Sequence, residues 1–379
     1  MTRRVLVVRG GALPRASGLG RAHHDLVDRL DQGLVSDFQL GSVIEHDLGG
    51  GAFTRWRRRR SKHPQRVAES ARKERDKFAT SILHITDQEQ AHLVPKNSPL
   101  PVSVTVHDLF HLDPYFIQTA SGRVTVGKRN PGIMRSQDLS HIRQGLKRAD
   151  LLICISQATA DKARELWPDK AITVVPHGID HAGYDPVQYP LPKPEGMDLN
   201  RLNLLCVGSE EPRKRIDFLI EAINSLPSHV KKTVTLHKVG AESNPESRKR
   251  LESAVDGFEL HWVGRLSDVD LCAMYQHCDA LLFPSIAEGF GLPPLEAMAS
   301  GCPVLVADLP AHNEVTPAEW LLPHDEIDAW VDAICNLEKT SEPNEIALNR
   351  AREFSIERWY ENISEAWQML HQESTVPES

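Results

Sequence analysis

The chain has 379 residues, 40% of them apolar and 25% charged, with a formal net charge of −8. That length exceeds one ordinary hydrophobic core and suits two domains. The composition excludes a disordered chain, and the net acidity argues against nucleic acid as a partner. No apolar run approaches the roughly 18 residues needed to cross a bilayer, and Val5–Val8 is too short for a signal-peptide core.

In chain order, short apolar runs rich in β-branched residues alternate with helical patterns. Val5–Val8, Ile82–Ile85, Val102–Val106, Leu151–Ile155 and Ile172–Val175 read as strands of the first half. Leu204–Val207, Val234–Val239, His261–Val263, Ala280–Phe283 and Val304–Val306 follow in the second. Continuous apolar runs imply strands buried on both faces, as in parallel sheets covered by helices. Ile216, Leu219, Ile220 and Ile223 recur at i, i+3, i+4 and i+7, an amphipathic helix between two such strands. The alternation predicts a doubly wound α/β fold.

It breaks once, over residues 185–200, where Pro186, Pro190, Pro192, Pro194 and Gly196 crowd together. A linker over 186–200 is predicted, dividing a first domain (1–185) from a second (201–355). A last helical pattern, Trp359/Ile363/Trp367/Leu370, closes the chain over 356–372, and the tail after His371 reads as frayed. Two such domains facing a central cleft put the carboxyl ends of both sheets, and hence the ligand, at that cleft. The six cysteines form no CxxC pair and read as reduced core residues of a cytoplasmic protein.

Several loops after strands carry chemistry. Phe283 leads into Glu288-Gly289-Phe290-Gly291-Leu292-Pro293-Pro294-Leu295-Glu296, a glycine loop opening a helix that Gly301 should end. Bare backbone N–H groups and the helix dipole there favour a phosphate or a sugar hydroxyl, with two carboxylates eight residues apart beside them. After Leu204–Val207 comes Gly208-Ser209-Glu210-Glu211-Pro212-Arg213-Lys214-Arg215, cations at a helix start, where the dipole disfavours them unless an anion is bound. Asp268-Val269-Asp270 is a D-x-D triplet that could hold a metal. It also follows Ser267 at a helix start, so N-capping accounts for it and no metal is expected. In the first half, Arg9-Gly10-Gly11 through Gly18-Leu19-Gly20-Arg21 fails the G-x-G-x-x-G dinucleotide pattern, which disfavours hydride transfer. Val102–Val106 ends in His107-Asp108-Leu109-Phe110-His111, placing an imidazole at a strand end.

These segments resemble glycosyltransferase family 4. Glu288 and Glu296 match its E-x7-E motif inside E-G-F-G-L-P-x-L-E-A-M-A-x-G-x-P-V. The resemblance implies a GT-B fold of two Rossmann-like parallel-sheet domains, and retaining, metal-independent transfer from a nucleotide-diphosphate sugar without other cofactor. It also implies site roles. Glu288 would hold hydroxyls of the transferred sugar and Glu296 the ribose, with Gly289, Phe290, Gly291 and Leu292 against sugar and diphosphate. Gly208, Arg213 and Lys214 resemble the phosphate loop, although Ser209 stands where many members have arginine. Arg265 and Leu266 lie in the loop expected to receive the base. Gly18, Gly20 and Arg21 resemble the G-G-x-G-R loop that approaches the diphosphate, and His107 the strand-end histidine that donates to the sugar or orients the acceptor. Asp180, in a further family landmark, reads as a turn and capping residue. By the same resemblance the closing helix packs back on the first domain.

The acceptor is expected to be a carbohydrate or a lipid-linked carbohydrate in polysaccharide, glycolipid or glycoconjugate assembly, with mannose or glucose as the sugar. A sugar-nucleotide epimerase and a catalytically inactive binding subunit remain as alternatives. Residues 55–77 hold eleven Lys/Arg against three Asp/Glu. This segment is either a solvated loop or a contact to the anionic inner face of a membrane or a polyanionic lipid-linked acceptor.

Overall fold

The structure, a computed structural model, describes residues 3–13, 15, 18–46, 49–241, 245–339 and 342–372. Eight strands precede residue 175: β1 (Arg3–Gly11), β2 (Phe38–His46), β3 (Ile82–Ile85), β4 (Val102–Val106), β5 (Tyr115–Thr119), β6 (Gly122–Val126), β7 (Leu151–Cys154) and β8 (Ala171–Val174). Six follow: β9 (Leu202–Val207), β10 (Val234–Val239), β11 (Glu259–Gly264), β12 (Ala280–Phe283), β13 (Val304–Ala307) and β14 (Leu321–Leu322). Two six-stranded parallel sheets result, in the orders β2-β1-β3-β4-β7-β8 and β11-β10-β9-β12-β13-β14. Val5–Val8 and Leu204–Leu205 are fully buried, as continuous apolar runs under helices on both faces require.

Contacts group the chain into two units. The first holds residues up to Pro114, Gly127–Pro176 and Glu357 onward; the second holds Tyr115–Val126 and His177–Ile356. The chain thus passes between units at Pro176, ahead of the stretch 186–200. That stretch is fastened inside the second unit. Gln276 donates to the Tyr184 and Tyr189 carbonyls at 3.0 Å and accepts from Leu191 N at 2.9 Å. Prolines report the lack of a hydrogen-bonded ladder, not where contacts divide.

The antiparallel hairpin β5–β6 is a second departure, because no strand was expected there. It lies in the first half of the sequence yet belongs to the second unit, where the Asp325 carboxylate accepts from Ala120 N at 2.5 Å. Half of its residues are exposed and only two are buried, so it lacks the apolar run that marks the buried strands.

The closing helix Ile356–Gln372 packs into the first unit. Trp367 is fully buried edge-on to Phe38 (5.2 Å) and His84 (5.3 Å), and its Nε1 donates to Ser103 Oγ at 3.2 Å. Residues 373–379 lie outside the described residues. In the second unit, Ile216, Leu219, Ile220 and Ile223 turn inward from helix Ile216–Asn224 as their spacing predicts. The basic segment is not a loop. Helix Ala52–Arg57, a π-helical turn Arg58–Lys62 and helix His63–Lys77 run on continuously. His63, Val67 and Ala71, at i, i+4 and i+8, bury one face, which charge counting overlooks. Five cysteines are buried and free as expected, but Cys335 is exposed at the end of its helix. No described helix is long and apolar enough to cross a membrane.

Candidate active site

In the second sheet the chain builds outward from β9 through β10 to β11, then returns to the other side of β9 with β12, β13 and β14. The strand order reverses between β9 and β12. Loops leaving their carboxyl ends diverge, so a crevice opens where doubly wound sheets bind ligands. The loop after β9 carries Gly208 to Lys214, and the loop after β12 carries Pro284 to Gly291. Topology alone therefore brings together segments some 74 residues apart.

Their side chains form one charged cluster. Lys214 Nζ meets Glu288 Oε1 at 2.5 Å, Arg213 Nη1 meets Glu288 Oε2 at 3.2 Å, and Ser285 Oγ donates to Glu288 Oε1 at 2.5 Å. Arg213 also donates to the Ala287 carbonyl at 2.7 Å and to Glu211 at 2.9 Å, while Ile286 N donates back to the Arg213 carbonyl at 2.8 Å. The Lys214 and Glu288 side chains are each only 14% exposed. Burial pushes the Glu288 carboxyl up, but the two cations and the hydrogen bonds from Lys214 and Ser285 outweigh it and hold it at about 2. The carboxylate is ionised at neutral pH. It has about four lone-pair positions, three of which are taken, so room remains to accept from a ligand hydroxyl.

Arg215 parts from its two basic neighbours. It takes left-handed backbone (φ 51°), pairs with Asp325 at 2.6 Å, donates to the His324 carbonyl and lies 4.2 Å over the Phe218 ring. Asp325 holds both Arg215 and the hairpin tip, so this arginine is structural. Gly208 and Gly291 have φ of +145° and +121°, values open to glycine at little cost. Helix Leu292–Ala299 starts just beyond Gly291, and Gly301 (φ +71°) ends it as the sequence predicts. Phe290 is buried edge-on to His177 at 5.4 Å, and Gly289 lies in the loop before it.

The remaining predicted residues of this unit lie on other elements. Glu296 is buried on helix Leu292–Ala299 and accepts from the Tyr275 hydroxyl at 3.1 Å and the Tyr184 hydroxyl at 3.4 Å. Arg265 is exposed after β11, and Leu266 borders a cavity of about 530 Å³ that His237, His261 and Met274 also line. Ser267 Oγ accepts from Asp270 N at 3.1 Å, so the D-x-D triplet opens a capped helix. Asp180 accepts from Ala182 N at 3.2 Å in a turn.

The first sheet reverses between β1 and β3. Gly18, Gly20 and Arg21 form the first turn of helix Gly18–Asp31, reached from β1; residues 14, 16 and 17 of the preceding loop lie outside the described residues. His107 follows β4, with its backbone N donating to Gln88 Oε1 at 2.9 Å and its Nε2 to the Thr86 carbonyl at 3.0 Å. That second bond fixes the ring orientation.

Four residues escaped the sequence reading. Ser285 braces Glu288. Tyr275 braces Glu296. Lys238, 1% exposed on β10, donates to the Gly208 carbonyl at 2.6 Å and so fixes the glycine turn from beneath. His312 is buried edge-on to Phe283 at 5.3 Å; its Nδ1 donates to the Ala307 carbonyl at 2.7 Å, and its Nε2 has no partner among the described residues. Burial lowers its pKa, so that Nε2 presents a lone pair. Its position just past β13 was the available signal; Lys238, inside an apolar run, gave none.

Two Rossmann-like parallel sheets with ligand-ready loops at a strand-order reversal define a protein of the GT-B class. The profile described as "Glycosyl transferases group 1" matches residues 201–340, and "Glycosyltransferase Family 4" matches residues 32–182. The chain belongs to the family 4, group 1 glycosyltransferases. The serotype-specific mannosyltransferase WbdA of Escherichia coli is 36% identical over 135 residues, 33% of this chain and 16% of that protein. The O-antigen chain mannosyltransferase RfbU of Salmonella typhimurium is 38% identical over 98 residues, 25% of this chain and 26% of that protein. The chain thus aligns with only 16% to 26% of the length of these curated relatives. Anabaena HepE, crystallised with UDP and glucose, shares the fold at a TM-score of 0.68 and 17% identity, covering 97% of this chain and 100% of that one.

Proposed function

We propose that this protein moves a sugar from a nucleoside-diphosphate sugar to a hydroxyl of a carbohydrate or lipid-linked acceptor, with retention at the anomeric carbon and without a metal ion. The observation that carries this reading is the ionised Glu288 held between Lys214 and Arg213 at the β9/β12 reversal. As the anomeric C–O bond breaks, negative charge grows on the departing diphosphate. Two fixed cations stabilise that charge more in the transition state than in the substrate. The acceptor oxygen forms the new bond on the face the leaving group vacates, and its proton passes to the departing phosphate oxygen. Glu288 accepts from hydroxyls of the transferred sugar and Glu296 from the ribose. Gly18, Gly20 and Arg21 offer a helix start to the diphosphate, and His107 orients the reacting hydroxyls.

Mannose is the favoured sugar, because WbdA and RfbU are named mannosyltransferases. The matching roles are polysaccharide or glycoconjugate assembly, in the cytoplasm. Glucose is the competitor, since HepE was crystallised with UDP and glucose. The test is incubation with GDP-mannose and with UDP-, ADP- and TDP-glucose in the presence of EDTA, with an oligosaccharide acceptor mixture. Release of nucleoside diphosphate from one donor and an α-linked product from that α-linked donor is expected. An inverted product, or release only after metal is restored, would overturn the mechanism.

A further inference from the structure

The basic segment builds a pocket in the first unit that the proposed transfer chemistry does not use. The π-helical turn Arg58–Lys62 delivers Arg59 and Arg60 to one wall, and helix His63–Lys77 adds Arg72. Lys96, after β3, and Arg148, at the end of helix Ile133–Arg148, complete a cavity of about 360 Å³. Five cations thus line it against one carboxylate, Asp138, which pairs with Arg60 at 3.0 Å.

Three of the cations lack a charged partner: among the described residues, no carboxylate pairs with Arg59, Arg72 or Lys96. Arg60 Nε is buried without a hydrogen-bond partner, and neither ring nitrogen of His92, in the same lining, finds one of proper geometry. Arg148 is anchored by donating to the Val94 carbonyl at 2.8 Å, which fixes its guanidinium in the cavity lining. Gathering like charges around a concave surface costs stability unless an anion offsets it. π-helical turns are uncommon and mark functional segments. Burial, followed by the Arg59 charge, holds His92 down at about 3, which keeps the ring neutral beside the cations.

We propose that this pocket binds a phosphate monoester or diphosphate group. Guanidinium forks match phosphate oxygens in pairs, and several of them around a concave surface suit a compact multivalent anion. No Phe, Tyr or Trp side chain lines the cavity, so the broad stacking platform that a single-stranded nucleic acid needs is missing. The group has two possible sources, a lipid headgroup or a soluble phosphate-bearing acceptor. Linking it to an acceptor rests on the proposed sugar transfer; the binding itself does not.

The test is calorimetric titration of the full chain with inorganic pyrophosphate, comparing the parent with Arg72→Gln/Lys96→Gln. Both of these residues are exposed, so the variant should fold. A control, Lys232→Gln/Lys249→Gln, removes the same charge from exposed positions of the second unit. The pocket variant should weaken pyrophosphate binding by about tenfold or more, the control should not, and nucleoside-diphosphate binding should be equal in all three. Equal pyrophosphate affinity in parent and pocket variant, or loss only with Lys214→Ala, overturns the proposal. Failure of the proposed transfer would show instead as absent nucleotide binding with the pyrophosphate result intact. Co-sedimentation with phosphatidylcholine vesicles, with and without phosphatidic acid, separates the sources. Vesicle binding lost in the pocket variant assigns a lipid headgroup; pyrophosphate binding without vesicle binding assigns a soluble phosphate.

Discussion

Each unit has one strand-order reversal, but the two differ in charge. At β9/β12 the groups are ionised: Glu288 held at about 2 between Lys214 and Arg213. Beside β1, β3 and β4 the groups are mostly neutral imidazoles. Burial lowers His23 to about 4, His84 to about 3 and His63 below its usual value, and the Arg9–Asp87 pair (3.6 Å) carries charge deep inside. The same topology thus carries two kinds of electrostatics. A charged crevice suits a diphosphate, whereas the buried rings of the first unit are satisfied from within, His84 by Ser103 Oγ at 2.8 Å and His63 by the Arg9 carbonyl at 2.7 Å.

The sharpest way to break that contrast is Lys214→Ala. It removes a transition-state cation and leaves buried Glu288 with Arg213 alone, so kcat/KM should fall by about a thousandfold, while stability drops by about 3 kcal/mol. Glu288→Gln should cost about a hundredfold in kcat/KM. Its stability deficit should depend on pH. The folded-state pKa is depressed, so the wild-type advantage is full above about 4.5 and is lost as pH falls from 4.5 toward 2. Denaturant midpoints of the two proteins should converge over that window, and a constant gap would contradict the ionised-carboxylate account.

The neutral imidazoles predict a loss in the same direction but in a higher window. Their folded pKa values lie below the unfolded 6.5, so the unfolded chain binds more protons and stability falls as pH drops from 6.5 toward 4. His23, His63, His84 and His92 lie in the first unit against His237 and His312 in the second. Hydrogen exchange at pH 5 should therefore lose protection first in β1, β3 and β4, and loss beginning in β9 and β12 would refute this. The smallest effect is expected for Ser285→Ala, a several-fold loss of kcat/KM with donor binding nearly intact, since Lys214 and Arg213 still hold Glu288.

Much of this was legible from the sequence, for physical reasons. Strands buried on both faces announce themselves as apolar runs, and Glu288, Arg213 and Lys214 lie just beyond such runs. The same rule left the edge strand β2 and the exposed hairpin β5–β6 unread, because neither buries a continuous face. Proline crowding marked 186–200 as irregular but could not show Gln276 stitching it to the second unit. Charge counting read 55–77 as loop, whereas His63, Val67 and Ala71 make it a helix. Ser285, Lys238 and Arg215 took their roles from tertiary contacts that spacing does not encode.

The central claim is that the β9/β12 reversal receives the donor's diphosphate. Calorimetric titration of the matching nucleoside diphosphate into wild type, Lys214→Ala and His107→Ala tests it directly. Affinity should fall by about ten- to a hundredfold in Lys214→Ala, the loss of one charge-assisted contact, and stay within about twofold in His107→Ala. Equal affinity in wild type and Lys214→Ala would place the diphosphate elsewhere and contradict the account.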